Sequence, residues 1–384
     1  MLFKIILRSA FRNKLRTGLT VLGVAIAILA FGLLRTVISA WYAGAAASSA
    51  TRLITRNAVS LVFSLPIFYK DKIRQLDNVT TVSYGSWFGG IYIDEKNFFA
   101  NWCVEPESYL RLYPEFILSP EEKAAFLKDR QSAMAGRKLA AKYGWKIGDI
   151  IPLKGVVYPG NWEFTLRGIY RGRDKTIDET QFMFHWDYLN ETVKRIVPRR
   201  ADQVGFYIIG IDRPENAAKV AVAVDQIFKN SLAETITETE KAFQLGFIAM
   251  TEVIVRLIQV VSLVIIVIIM AVVANTMAMT TRERTGDYSI LKTLGFGGAH
   301  IAALITGEAL IITLVGGLIG MVLTFPIAGV FSAKLAVYFP VFNVSTETLI
   351  LDFLATLVVA VAASVIPTRH AIKIRVADGL KRLG

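Results

Sequence analysis

The chain has few of the residues that carry most catalytic and metal chemistry. Its 384 residues include one cysteine, Cys103, and three histidines. A single cysteine excludes an intrachain disulfide and the thiolate clusters that hold structural zinc. The phosphate-binding sequence Gly-(x)4-Gly-Lys-Ser/Thr is also absent. We therefore expect no catalytic, metal or cofactor-binding residues here, and a chain that is not an enzyme by itself.

The three histidines are far apart in sequence, at His185, His300 and His370. Catalytic and metal sites need their members within reach of one another, so this separation argues against both. His185 and Cys103 each stand beside a tryptophan, and we expect both to be packing residues.

Long hydrophobic runs are abundant, and their placement is uneven. One run covers residues 18–34, a long polar region follows, and three more runs cover 257–274, 301–325 and 349–366. A bilayer core about 30 Å thick needs ~20 mostly apolar helical residues. The pattern predicts four transmembrane α-helices, one and then a group of three. A secretory signal peptide is the alternative for the first run, but its 17 residues favour an uncleaved anchor.

The formal net charge of +12 is concentrated beside these runs. Residues 1–17, 276–300 and 368–384 hold 13 bases and 3 acids, which is +10 of that charge. With four spans, all three segments fall on one side, and cytoplasmic flanks are enriched in Lys and Arg. The charge thus predicts cytoplasmic termini and an extracytoplasmic domain, and it argues against nucleic-acid binding.

These features divide the chain into nine expected segments. They are a basic N-terminal segment (1–17), transmembrane helix 1 (18–40), stalks and an extracytoplasmic domain (41–247), transmembrane helix 2 (248–275), a cytoplasmic helical segment (276–300), transmembrane helix 3 (301–330), an extracytoplasmic loop (331–348), transmembrane helix 4 (349–367) and a basic tail (368–384).

The large domain mixes strand and helix patterns and is expected to be α+β. Residues 162–167 alternate apolar and polar, as a half-buried strand does, and a hairpin is predicted around Asp94. At its edges, residues 35–54 and 234–244 lack proline and predict helical stalks. A helix from Thr235 to Asn275 would be about 60 Å long. Flexible linkers at Gly44 and Gly246 remain the alternative.

The segment between helices 2 and 3 predicts a short amphipathic helix. Thr280 or Thr281 can cap its start, and Gly295 suits its end. Two pairs of apolar residues are spaced three and four apart along it: Tyr288 with Leu291, and Ile290 with Leu294. Such a helix lies on lipid or in a groove of a partner protein, and its pattern does not choose between them.

Polar and small residues within the spans carry further expectations. Glu308 lies inside the third span, where an ionised carboxylate costs ~3 kcal/mol or more. We expect it to form a hydrogen bond with a neighbouring helix, and a functional role is the alternative. Gly316 and Gly320 form a small-xxx-small pair that permits close helix packing. Arg35 and Asp352 are near span ends and are expected to reach the interface.

Several segments together resemble one family. Arg282-Glu-Arg-Thr-Gly-Asp, followed by Leu291-Lys-Thr-Leu-Gly, resembles a signature of FtsX-like permeases, the MacB and LolC/LolE group of ABC transporters. Residues 7–17, 136–151, 164–170 and 367–373 are similar to other parts of that family, so the resemblance covers nearly the whole chain. Asp287 stands where Glu is usual, and Arg375-Val376 stands where the tail usually carries a proline.

The resemblance implies a permease subunit in the bacterial cytoplasmic (inner) membrane, paired with a separate ATPase that binds ATP and Mg. It implies a dimer with a second copy or a paralogue, and movement of the periplasmic domain by mechanotransmission for efflux or extraction of a substrate. A periplasmic membrane-fusion adaptor is a further partner. The alternative is an FtsX-like protein that activates a periplasmic cell-wall hydrolase. The implied ATPase-coupling residues are Arg282, Glu283, Arg284, Asp287, Leu291, Lys292 and Leu294.

Overall fold

The computed structural model describes residues 2–335, 339 and 341–373. Its helices are α1 (Leu2–Ala10), α2 (Lys14–Trp41), α3 (Ala43–Ala47), α4 (Tyr69–Ile73), α5 (Pro106–Leu112), α6 (Pro120–Lys128), α7 (Arg137–Tyr143), α8 (Trp186–Ile196), α9 (Ala217–Ile227), α10 (Glu240–Ala249), α11 (Glu252–Glu283), α12 (Thr285–Thr293), α13 (Gly298–Leu335) and α14 (Thr346–Lys373). Its strands are β1 (Arg52–Asn57), β2 (Leu65–Pro66), β3 (Val79–Trp87), β4 (Gly90–Ile91), β5 (Asn101–Val104), β6 (Phe116–Ile117), β7 (Ser132–Gly136), β8 (Ile150–Gly155), β9 (Gly160–Gly172), β10 (Phe182–His185), β11 (Gln203–Val204), β12 (Phe206–Ile211) and β13 (Thr235–Thr239).

The described residues fall into a helical unit and a mixed unit. The helical unit contains α1, most of α2, and α11 to α14, whereas the mixed unit includes residues 40–251. Within the described residues, four helices are long and apolar enough to cross a membrane: α2, α11, α13 and α14. The predicted four-helix arrangement with a large α+β domain is therefore confirmed. Arg375 and Val376, in the predicted basic tail, lie outside the described residues.

Close packing in the helical unit depends on glycines of α13. A Cβ on Gly316 would lie 2.7 Å from the Cβ of Val24 in α2, and one on Gly320 would lie 2.6 Å from the carbonyl oxygen of Ala25. Both distances are shorter than atoms tolerate. The structure therefore sets this predicted glycine pair directly against α2, where larger residues would push the helices apart.

The mixed unit is built on one sheet, with strand order β13-β1-β12-β3-β5-β10-β7-β9-β8-β4. Strands β5 and β10 are parallel, as are β7 and β9, and the other neighbours are antiparallel. In β9 the side chains of Trp162, Phe164 and Leu166 are buried, as their alternation predicts. The sheet carries the hydrophobic core of this unit.

The predicted hairpin around Asp94 is wrong. Strand β4 pairs with β8 instead, and β5 begins only at Asn101. The side chain of Asn101 accepts a hydrogen bond from the backbone N–H of Gly90 at 2.7 Å and donates to its carbonyl oxygen at 2.9 Å. A side chain thus satisfies the backbone groups that a hairpin ladder would have paired.

The predicted stalks are helical only in part. Residues Thr235–Thr239 form β13, which pairs with β1 at the sheet edge, so the helix begins only at Glu240. The β-branched residues of this segment favour a strand over a helix. Helix α10 then ends at Ala249, and α11 starts at Glu252. On the other side, helix ends at Ala47 and β1 follows, so the continuous helices predicted at both edges are wrong.

The predicted start of the amphipathic helix is also wrong. Helix α11 continues without a break through Thr280 and Thr281, and it ends at Glu283. Thr281 is buried, and the Thr280 hydroxyl donates to the carbonyl oxygen of Thr276 within the same helix at 3.0 Å. Neither residue caps a helix, and the short helix α12 starts at Thr285 instead.

The glycine packing predicts a sharp difference between two positions in α13. Gly320→Ala adds a methyl group against the backbone of α2, whereas Gly329→Ala meets nothing within 4 Å. Overpacking typically costs ~1–3 kcal/mol, and alanine in an open helical position is about 1 kcal/mol better than glycine. We expect the thermal unfolding midpoint to fall in Gly320→Ala and to hold or rise in Gly329→Ala. Equal midpoints would contradict this packing.

Candidate functional site

Helix α12 is a short helix, and a break in helical backbone conformation separates it from α11 at one end and from α13 at the other. At Arg284 the backbone leaves helical geometry, with φ −99° and ψ 17°. At the other end Gly295 has φ +94°, a left-handed conformation that favours glycine. The segment can therefore change direction twice within the helical unit, between α11 and α13.

The start of α12 is anchored by a buried ion pair. The guanidinium of Arg284 lies 2.8 Å from the carboxylate of Glu308 in α13, with side chains 13% and 7% exposed. Arg284 also donates to the carbonyl oxygen of Ser9 in α1 at 2.9 Å and contacts its hydroxyl. The Ser9 hydroxyl donates to Glu308 at 3.1 Å. Three helices thus meet at one charge pair.

Further contacts fix α12 and its flanks against other helices. Glu283 accepts two hydrogen bonds from Arg16 of α2, at 2.7 and 2.8 Å. Asp287 lies 3.1 Å from Arg12, and Lys292 donates to the carbonyl oxygen of Ile372 in α14 at 2.6 Å. Pairs this exposed contribute ~0–1 kcal/mol each. Their role is to set the position of the segment.

The two sides of α12 differ in burial, as those of an amphipathic helix do. Tyr288 is buried with Ile301, Ile305 and Ala371, and Leu291 packs against this group. Burial raises the pKa of Tyr288 to about 12, so its hydroxyl stays neutral. Outside this group, Ile290, the C-cap residue Leu294 and the following Phe296 are 44%, 70% and 40% exposed. We call these three residues the exposed face.

The predicted coupling residues therefore divide into two groups. Arg282 and Leu294 are exposed, and Leu291 is half-buried. The other four bind within the chain: Glu283, Arg284, Asp287 and Lys292. Ile290, which the sequence pairs with Leu294 on one helical face, is also exposed. The sequence analysis did not single out Phe296.

A second buried charge cluster lies in the mixed unit, where α10 begins. The guanidinium of Arg52 in β1 lies 2.8 Å from Glu240 and 2.7 Å from Glu115. Tyr113 donates to Glu240 at 2.9 Å, and its ring centroid lies 4.1 Å from the Arg52 guanidinium. Burial alone would lower the pKa of Arg52, but the two carboxylates outweigh it and raise that pKa.

This cluster ties the first residue of α10 to the sheet. Glu240 also accepts a hydrogen bond from the backbone N–H of Ser49 at 2.9 Å, and Thr239 caps the helix by accepting from Ala242 at 3.1 Å. No sequence signal pointed to the cluster, because its members are distant along the chain.

One face of the sheet and α10 enclose a cavity of about 670 Å³. Its lining is mostly apolar and aromatic, with Trp87, Trp102 and Phe206 from the sheet and Phe243 and Phe247 from α10. Cavities of this size and lining suit apolar or amphipathic ligands. The sequence analysis did not foresee it, since its walls come together only in the folded unit.

Metal and thiol chemistry find no support where the structure can be described. Across residues 2–335, 339 and 341–373, no group of three or more His, Cys, Asp or Glu is placed to hold a metal ion. Burial raises the pKa of the Cys103 thiol to about 12. Burial also lowers the pKa of His185, whose Nε2 lies 2.7 Å from the carbonyl oxygen of Phe126. Both are packing residues.

Comparison with known proteins gives this arrangement a family. Residues 259–376, which include α12 and its anchors in α13 and α14, match the family model of the FtsX-like permease C-terminal domain. The chain carries an FtsX-like permease C-terminal domain. It is 25% identical over 337 residues to an uncharacterized ABC transporter permease of Methanocaldococcus jannaschii, covering 82% of this chain and 80% of that protein.

A second relative is the macrolide export ATP-binding/permease protein MacB of a Shewanella species. The chain is 21% identical to it over 237 residues, which cover 60% of this chain and 35% of that protein. The chain thus spans about a third of MacB.

Solved structures with a distant likeness cover about half of the permease. One is the extracellular domain of the ABC-type transporter YknZ from Gram-positive bacteria, with a TM-score of 0.35, 9% identity, and coverage of 49% of this chain and 100% of that one. Another is a domain of a permease protein from Porphyromonas gingivalis, with a TM-score of 0.33, 13% identity, and coverage of 49% and 88%.

The buried ion pair predicts a large stability loss when one partner is removed. Arg284→Ala leaves Glu308 buried without its counter-charge, which costs ~3–5 kcal/mol in buried pairs. The control is Arg256→Ala, whose pair with Glu252 has side chains 72% and 52% exposed, worth ~0.5 kcal/mol. Thermal unfolding of the purified permease should separate the two variants clearly. A double change at Arg284 and Glu308 should recover part of the loss.

Proposed function

We propose that this permease couples ATP hydrolysis by a separate ATPase to movement of its mixed unit, as a MacB/LolCDE-type transporter subunit. The observation that carries the proposal is α12. It is a short helix fastened to α1, α2, α13 and α14, and it still presents an apolar exposed face. A fastened helix with such a face suits a partner that pushes on it.

Charge supports the membrane orientation in this proposal. Arg12 and Arg16 bind Asp287 and Glu283, so the basic start of the chain lies beside α12. Lys- and Arg-rich flanks favour the cytoplasmic side. We therefore place this end of the helical unit in the cytoplasm, and the mixed unit outside the cytoplasmic membrane.

The exposed face supports docking in a groove of the ATPase. An amphipathic helix binds such a groove through apolar residues spaced three or four apart, as Ile290 and Leu294 are. Arg282 adds an exposed charge beside it. ATP and Mg would bind the partner, and no step of hydrolysis needs a residue of this chain.

Motion imposed on α12 has a physical route into the helical unit. The Arg284–Glu308 pair would pass it to α13, and Arg16 would pass it to α2. In the mixed unit, the Arg52–Glu240 pair holds the start of α10 to the sheet. Met250 and Thr251 separate α10 from α11. These two residues would act as a hinge, where the sequence predicts one continuous helix.

A second copy of the chain, or a paralogue, would complete the transporter. Helix α11 exposes apolar side chains along much of its length, among them Leu257, Val261 and Leu263 at 60%, 50% and 63%. Lipid and a second permease chain both satisfy such a surface. An assembly of two permease chains and two ATPases is therefore the expected form.

The apolar cavity in the mixed unit favours substrate handling over the alternative of hydrolase activation. A regulator needs a protein-binding surface, whereas a transporter of apolar or amphipathic cargo needs a place for it. A periplasmic membrane-fusion adaptor that co-purifies with the permease would support export. A cell-wall hydrolase that co-purifies in its place would favour signalling.

Docking predicts that a charge on the exposed face releases the ATPase. Leu294→Asp places a carboxylate at the most exposed apolar position of α12, and loss of a central interface anchor costs ~2 kcal/mol or more. We expect at least about a 30-fold weaker complex, measured by co-purification and by vanadate-sensitive ATP hydrolysis. The control is Leu232→Asp in the mixed unit, a position that is fully exposed. Full retention of ATPase by Leu294→Asp would refute docking at this face.

A further inference from the structure

Asp352 of α14 is completely buried within the helical unit. Among the described residues, neither of its carboxylate oxygens has a hydrogen-bond partner. A Cβ on Gly32 of α2 would lie 2.7 Å from Asp352 Oδ2 and 3.2 Å from the hydroxyl oxygen of Thr324 in α13. The carboxyl group thus sits where three helices meet, and the expectation that it reaches the interface is wrong.

Two hydroxyl groups beside Asp352 donate their protons to backbone carbonyl groups. Thr324 donates to the carbonyl oxygen of Gly320 at 2.9 Å. Thr356 donates to the carbonyl oxygen of Asp352 itself at 2.8 Å. A hydroxyl group has one proton to donate. Neither of them therefore stabilises a negative charge on the carboxylate.

The charged groups near Asp352 do not neutralise it either. Arg35 of α2 lies one turn beyond Gly32, but its guanidinium reaches Glu347 at 3.5 Å, and Glu347 is 77% exposed. The Arg35 Nε is buried and, within the described residues, has no partner. From α11, Glu252 and Arg256 pair with each other in an exposed position. On α13 it is Thr324 that faces this point.

An ionised carboxylate without a hydrogen bond in an apolar bundle is unfavourable by several kcal/mol, and such a group normally becomes neutral. We propose that Asp352 is a proton-binding site, occupied in this conformation and emptied when Arg35 turns from Glu347 to Asp352. The Asp352 O–H bond then breaks, the proton passes to water at the end of the bundle, and Arg35 pairs with the carboxylate. The proposal rests on the membrane location of α14 and not on the ATPase.

Occupation of this site would hold the three helices together. The neutral carboxyl group fits in the space that Gly32 leaves open, against Thr324. A charged carboxylate would draw Arg35 inward and release its bond to Glu347. Proton binding and the packing of α2 on α14 are thus linked, and each favours the other.

Dicyclohexylcarbodiimide tests this site because it adds to protonated carboxyl groups in apolar surroundings. The full-length permease in proteoliposomes is treated at neutral pH, and the adduct is located by peptide mass spectrometry. We expect labelling at Asp352 that Asp352→Asn abolishes. Glu308 is an internal control, since it is equally buried but paired with Arg284, and it should stay unlabelled. Labelling that persists in Asp352→Asn would overturn the proposal.

Arg35→Gln tests the exchange. Without Arg35 no cation can pair with the ionised carboxylate, so Asp352 should keep its proton to a higher pH. The pH at which labelling of Asp352 falls should therefore rise by about one unit or more. If Asp352 is instead paired with Arg35 at rest, the unmodified permease will resist the reagent and only Arg35→Gln will label. If sodium chloride protects Asp352 from the reagent and potassium chloride does not, the carboxylate binds sodium. Either result refutes proton binding.

Infrared spectroscopy gives a reading that does not depend on reagent access. The difference between the unmodified permease and Asp352→Asn in proteoliposomes should contain the carbonyl band of a protonated carboxyl group. A carboxylate band in its place would overturn the proposal, whatever the labelling shows.

Discussion

A charge buried among apolar helices must find a partner, and the Arg284–Glu308 pair is where this constraint shapes the permease. With side chains 13% and 7% exposed, either charge would be costly to bury without the other. Their pairing fixes the end of α11, the start of α12 and the third transmembrane helix in one arrangement, and Ser9 brings in α1. The position of the exposed face follows from this contact.

The same constraint appears in the mixed unit, where the buried carboxylates outnumber the buried arginine. There one arginine, Arg52, pairs with two carboxylates, and Tyr113 and the backbone N–H of Ser49 donate further hydrogen bonds to Glu240. Because all of these groups are buried, a shift of α10 away from β1 would strand at least one charge. The start of α10 is therefore one of the most firmly held points of its unit, and motion is more easily absorbed at Met250 and Thr251.

The sequence predicts the helices and the family better than it predicts the contacts between elements. Hydrophobic length alone locates the four spans, and alternation locates β9, because both depend on neighbours in the chain. The strand at Thr235 was mistaken for helix because its pairing with β1 is a long-range contact. The family resemblance implies that Arg284 is a coupling residue, but its contact with Glu308 is not visible from the local pattern. The burial of Asp352 also depends on two other helices.

Firm attachments and weak points together describe what this permease can do mechanically. Helix α12 is held by charge pairs, and Tyr288 and Leu291 pack its apolar side against the helical unit. A force on Leu294 would therefore move α12 together with the helices that it contacts. The Arg52 cluster would keep the start of α10 in place on its sheet. Between these fastened regions the chain offers two helix breaks, at Arg284 and at Met250–Thr251. Rotation about the second break would alter α10, which forms one wall of the apolar cavity.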